Sequence, residues 1–267
     1  MSVSRPRGPS RALWQYHSRS DLHSKVACWG VLFDLLQRSA LLKRHVEAGK
    51  VVFGINHEMS DFKSGRKKDL DLVVARPVAK ATSTTFADLA DRYYVELTPQ
   101  QRATLAGLPV LHAGGVGTVL VALEAKAAMT AHQKALPRLY DELQSSHVAV
   151  HGSSAQALAV GLVLVNAAIS FISPDLNKTG PRTNISFHAQ PDAAAQVIAK
   201  VDQLPRSSHV GDVGFDGLGV VVLSVGNDGT PVVVFSGPPA PAPNEIFFYD
   251  NMIGRIANEY DTRFVNI

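Results

Sequence analysis

Glu124 and Lys126 follow directly on Val119 to Leu123, an unbroken apolar run that has the character of a buried strand. A carboxylate taken out of water costs several kcal/mol unless a cation or hydrogen bonds compensate it. Side chains alternate across a strand, so Leu120, Ala122, Glu124 and Lys126 share one face and Val119, Val121, Leu123 and Ala125 the other. The charged pair therefore emerges at the strand's end, where a buried sheet meets a cleft. An earlier segment, "DLDLVVA", supplies the partner: Asp69 and Asp71 share one face, and Leu70, Leu72 and Val74 the other. If the two strands pair, Asp71 and Glu124 converge. Two carboxylates, a backbone carbonyl and waters form a hard-oxygen site suited to Mg²⁺. Such an ion acidifies water and neutralises charge developing on a phosphate, and Lys126 can orient the attacking water or help deprotonate it. The set suits metal-assisted phosphodiester hydrolysis. Asp69 and Glu58 are candidate auxiliary acids, and Asp69 is the alternative to Asp71 as the ligand.

The elements that must position these residues follow from periodicity. Ser20 and Asp21 open a helix whose apolar positions run through Val26, Trp29, Leu32, Phe33 and Leu36. Ser39 caps a second helical segment ending near Gly49. "KVVFGI", Lys50 to Ile55, is strand-like, "INHEMSDFKSGRKK" a polar loop, and "DLDLVVARP" a second strand stopped at Pro77. A mostly helical insertion, 80–117, leads to the third strand, Thr118 to Lys126. Thr98, Pro99 and Gln101 make a helix opening inside it, and Thr130 with Gln133 makes another after it. Pro137 kinks or restarts the helix that follows. "AVGLVLVNAAISFI" is a buried strand bent at Asn166, and Asp192 to Gln203 is an alanine-rich helix. "GVVVLSVGNDGTPVVVF" is a hairpin around Asn227-Asp228-Gly229, and Glu245 to Phe264 is an amphipathic helix destined for the core or a subunit interface. These elements give a single α/β domain, 1–267, with a central mixed sheet flanked by helices and a basic N-terminal arm, 1–19.

Composition narrows the class. With a single cysteine, Cys28, no internal disulfide forms, which favours a reducing compartment. The arm leads into no apolar signal core, and the longest apolar run, Ala157 to Val165, falls short of the about 20 residues a spanning helix needs. A cytoplasmic protein without a membrane segment is expected. The formal net charge of +3 is weakly basic, but the cations cluster: Arg5, Arg7, Arg11 and Arg19 in the arm, then Lys63, Arg66, Lys67 and Lys68 before the acids. The second cluster is a candidate DNA contact; solvated surface accounts for either cluster equally well.

The order helix, strand, aspartate on the second strand, Glu-Ala-Lys at the end of the third, then a helix resembles the PD-(D/E)XK nuclease superfamily, whose best-known members are type II restriction endonucleases. Asp71 and Glu124 to Lys126 match its motif, and the resemblance covers the region from about Ser20 to about Val165. Leu70 stands where the family has proline. The separation of 53 from Asp71 to Glu124 is long, which the 80–117 insertion explains; in such enzymes insertions often carry DNA contacts. The resemblance implies a restriction-endonuclease-like core, Mg²⁺ held by Asp71 and Glu124, catalysis by Asp71, Glu124 and Lys126, and double-stranded DNA as substrate. A homodimer is expected, because cutting both strands of a two-fold site with one active site per chain calls for two subunits. A structure-selective repair or recombination nuclease and a non-catalytic DNA-binding protein are the alternatives.

Other motifs carry less. His147 and His151, four apart, have no nearby third ligand and read as surface or capping histidines. "HEMSD" at His57 lacks the second histidine of a zinc-protease helix, and "HAGGVGT" lacks the lysine of a phosphate loop. "HGSSAQ" lacks the strand-to-helix elbow of a nucleophilic serine. Cys28 is most simply a packed residue.

Overall fold

The computed structural model describes residues 14–62, 64–178, 184–207 and 212–267. Arg5, Arg7, Arg11 and Lys63 lie outside them. Helix α1 (Leu22–Arg38) buries Trp29, Leu32, Phe33 and Leu36 of the predicted stripe, with Val26 partly buried, and adds Cys28, Val31 and Leu35, so its apolar face is broader than predicted. The Ser39 hydroxyl accepts from the Leu42 amide and caps α2 (Ala40–Glu47). Gly49, at φ +64, then turns the chain out of the helix, a conformation glycine adopts without a Cβ penalty.

Strand β1 (Val52–Ser60) is longer than its apolar start suggests. His57, Glu58, Met59 and Ser60 belong to the strand, and the loop shrinks to the turn before β2 (Lys67–Pro77). Polarity misleads there because one face of this outer strand meets solvent. The insertion carries two short helices, α3 (Phe86–Arg92) and α4 (Pro99–Gly107), each opened by a capping box, Thr85 with Asp88 and Thr98 with Gln101. The remainder of the insertion is non-helical, and it is tied to β1 by the Phe53 amide donating to the His112 carbonyl.

Strand β3 (Val116–Ala128) is followed by α5 (His132–Ser153), β4 (Leu158–Asn166), the short pair β5 (Ser170–Ile172) and β6 (Ile185–Phe187), α6 (Asp192–Val201), β7 (Gly217–Ser224), β8 (Val233–Val234) and α7 (Tyr249–Arg263). The expected cap at Thr130 does not form. Its hydroxyl pairs with His188 Nε2, and α5 starts after Ala131, which sits in the left-handed region at φ 50. Pro137 lies within α5 without restarting it. The predicted tight hairpin at Asn227 is looser: β7 and β8 pair only at Leu223 with Val234 and Ser224 with Val233. Asn227 is buried, and its side chain bonds Tyr16 and Ile172, which draws the loop inward.

The main sheet has six strands in the order β1-β2-β3-β4-β7-β8. Its centre, β3-β4-β7, is parallel, and the outer pairings are antiparallel. Helices cover both faces, as parallel strands require. On one face α1, α2 and α7 pack Leu32, Leu35, Leu42 and Ile256 against Leu72, Val74, Leu123 and Leu162. On the other, α5 and α6 pack Leu139, Leu143, Val197 and Val201 against Val73, Ala122, Val163 and Val220. The molecule is an α/β protein with a mixed central sheet flanked by helices. Among the described residues no helix is long and apolar enough to cross a membrane.

Candidate active site

The site forms where β2 and β3 part. Their ladder runs from Pro77 opposite Val116 to Leu72 opposite Leu123, and a bulge at Leu120 resets the alternation. Leu120 and Val121 consequently both enter the α1-side core, while Leu123 and Ala125 continue on that side and Ala122 faces α5. Beyond Leu123 the ladder ends. The Ala125 amide donates instead to the Asp71 carboxylate, Oδ2, at 3.0 Å. A side chain has taken a bond that an extended pairing leaves to backbone, and this holds the aspartate at the fork.

Asp71 leans toward α1. The Ser24 hydroxyl donates to its Oδ1 at 2.9 Å, and the Cys28 thiol lies 4.0 Å from Oδ2. Strict alternation along β2 does not survive here: Leu70 joins Val73 and Ala75 in the α5-side core, while Leu72 and Val74 face α1. Glu124 is 3% exposed and sits among cations. Its Oε1 is 2.7 Å from Lys126 Nζ and 3.3 Å from Lys68 Nζ. Lys126 Nζ also reaches Glu142 Oε2 of α5 at 3.2 Å, and Glu142 is bonded in turn by Arg138 at 2.6 Å. The expected convergence is therefore only partial: Asp71 is anchored on the α1 side of the sheet and Glu124 is connected to α5 on the other, because the Ala125 amide that holds Asp71 follows Glu124 by one residue in the strand. Glu124 also lies within β3, which pairs with β4 as far as Ala128, and not at the strand's end.

Electrostatics couple the two acids. Burial pushes Glu124 up from the usual carboxylate range and the nearby Asp71 adds to this, against the pull of Lys126 and Lys68. Burial likewise raises Asp71, against the Ala125 amide and Lys126. Burial opposes the charge on Lys126, but Glu124, Glu142 and Asp71 outweigh it and hold the amine protonated. Cys28, buried beside Asp71 and Glu124, is pushed well above the ordinary thiol range and is no nucleophile.

Both acids are raised by burial, and Glu124 also by Asp71, a cost that a divalent cation nearby would relieve. Glu124 Oε2 is buried with no hydrogen-bond partner, an open acceptor at the fork. Each Asp71 oxygen accepts a bond yet keeps a lone pair. Among the described residues no group of three or more His, Cys, Asp or Glu side chains gathers into a metal cage. Mg²⁺ needs none, since one or two carboxylates anchor it and water completes its shell. In chemistry the carboxylate oxygens of Asp71 and Glu124 are donors of the kind that ion takes.

The other sequence candidates fall elsewhere. Asp69 and Glu58 face each other across β1 and β2, both exposed, and Glu58 pairs with Lys67 at 2.8 Å. Neither touches the fork acids, because the turn of β2 at Asp71 leaves them on the open side. Arg66 is exposed, whereas Lys68 turns inward to Glu124. His147 and His151 are not surface groups: His147 is 0% exposed, and His151 Nε2 pairs with the Gly214 carbonyl at 2.8 Å and Asp216 at 3.3 Å. Ser24 and Glu142 went unread in the sequence. Comparison of the chain with protein-family models, with curated proteins and with solved structures gave no match.

Proposed function

We propose that this chain is a Mg²⁺-dependent endodeoxyribonuclease of the restriction-enzyme type, built on a PD-(D/E)XK-like core, acting on double-stranded DNA as a homodimer. One observation carries the reading: at the β2–β3 fork the Ala125 amide holds Asp71, and the neighbouring Glu124 pairs with Lys126 while its buried Oε2 has no partner. Asp71 and Glu124 would hold the ion, which when bound supplies charge neutralisation at the phosphate and acidifies water. The chain's own groups do the rest. Ser24 and the Ala125 amide fix the Asp71 carboxylate, so the acid is preorganised rather than recruited. Lys126, kept charged between Glu124 and Glu142, aims the attacking water and faces the phosphate as a cation; it is not the group that takes the proton. The apolar stripe of α7 is spent on the core, so a dimer contact falls to other surfaces, and the exposed Val233, Val234 and Phe235 are available for one.

The test is a digest of duplex DNA in Mg²⁺ by the purified chain, by Asp71→Ala and by Lys126→Ala. Discrete fragments should appear with the parent and fall by about a hundredfold or more in both variants, since each removes several kcal/mol of charge stabilisation. Equal cutting by the variants ends the reading. Cutting confined to junctions or nicked duplexes moves it to a structure-selective nuclease. Sedimentation at the working concentration reads the dimer.

A further inference from the structure

Arg66, Lys67 and Lys68 stand in a row ahead of the fork, yet they do different things. Arg66 is exposed, and Lys67 is exposed and bonded to Glu58. Lys68 sits opposite the buried Met59 in the β1–β2 ladder, and only 18% of its side chain is exposed. A lysine at a strand end usually carries its ammonium into water along its flexible stem. This one holds it 3.3 Å from Glu124 Oε1, the same oxygen that Lys126 occupies at 2.7 Å. Two ammonium groups therefore share one carboxylate oxygen. Lys126 has a second anion in Glu142, but among the described residues Lys68 pairs with no carboxylate except Glu124. It holds the longer and weaker of the two contacts to that oxygen, and it faces a fork whose proposed substrate is an anion.

We propose that Lys68 is a substrate-facing cation of the site: with a divalent ion on Glu124, the Lys68 ammonium leaves Oε1 and binds a non-bridging oxygen of the DNA phosphodiester. This rests on the nuclease reading above. It makes two effects run in opposite directions. In the resting site Lys68 competes with a divalent ion for Glu124, so removing its charge tightens ion binding. In the working site it holds the phosphate, so the same change slows cutting. A purely structural lysine would weaken both together.

The experiment measures Mn²⁺ binding by calorimetry, and single-turnover cutting of duplex DNA in Mg²⁺, for the full chain, Lys68→Met, Lys68→Gln and Lys68→Arg, with melting curves to confirm folding. Lys68→Met should bind Mn²⁺ about threefold or more tightly, because like-charge repulsion is removed, and cut at least about tenfold more slowly, as a lost charge-assisted contact demands. Lys68→Gln repeats the comparison with a polar neutral side chain should the methionine variant unfold. Lys68→Arg, which keeps the charge, should return toward parental values in both. Looser or unchanged Mn²⁺ binding in the neutral variants, or cutting at the parental rate, overturns the role of Lys68 while the nuclease reading stands. A parent chain that neither binds the ion nor cuts DNA overturns both.

Discussion

Ser24 has one hydroxyl hydrogen and two acceptors in reach, the Asp21 carbonyl and Asp71 Oδ1, both at 2.9 Å. The hydrogen serves one at a time, and the carboxylate, when ionised, is the stronger acceptor. Ser24→Ala should leave Asp71 with the Ala125 amide and lower stability by about 1–2 kcal/mol. Cutting should fall, though less than in Asp71→Ala, because the acid remains. Melting curves and rates side by side check this, and a variant as slow as Asp71→Ala would mean that Ser24 does more than orient. The three motif residues were legible as candidates because their types conflict with their surroundings: acids and an amine set within apolar strands demand an account. Ser24 and Glu142 carried no such signal. Each lies on a helix, where a polar residue is ordinary, and only helix packing brings it to the fork.

Among the elements, the apolar runs and their order gave the strands, the first helix and the flanked mixed sheet. What the runs could not give was register. The bulge at Leu120 and the change of facing between Leu70 and Leu72 decide which core each side chain enters, and both depend on pairing between distant segments. The capping pattern at Thr130 failed for a similar reason, since His188, far along the chain, claims the hydroxyl. The seat of α7 on β7 is a further long-range fact. A Cβ on Gly217 would lie 2.6 Å from Ile256 Cγ1, and one on Gly219 2.8 Å from Met252 Sδ. Helix and strand touch because glycine is there. Gly217→Ala should cost about 1–3 kcal/mol by overpacking and lower the melting temperature by about 3–10 °C; an unchanged melt would show that α7 has room to shift.

For the molecule as a whole, the α5-side core holds a titration the sequence did not reveal. His147 is fully buried, its ring edge-on to Phe215 at 5.1 Å, and neither ring nitrogen has a partner. Burial, helped by His151, holds its pKa down at about 4 against an ordinary 6.5. The sign follows: below about 6.5 the unfolded chain takes up a proton that the folded chain refuses until about 4. Stability should therefore fall as pH drops through that window, by up to on the order of 3 kcal/mol. Nearby Asp216, bonded by His151, the Ala159 amide and Arg263, is held below the usual range despite its burial, so its contribution is lost at still lower pH. Urea melts between about pH 4.5 and 7.5 should slope less in His147→Leu than in the parent; parallel slopes would remove His147 from the account.

The fork has one more consequence, for the cell that makes the chain. Asp71 leaves the ribosome before α3 and α4 are translated, Glu124 only after them, and the Glu142 that steadies Lys126 later still. A truncated or half-translated product thus lacks the complete constellation, and whatever the three groups do together waits for the whole sheet to be made.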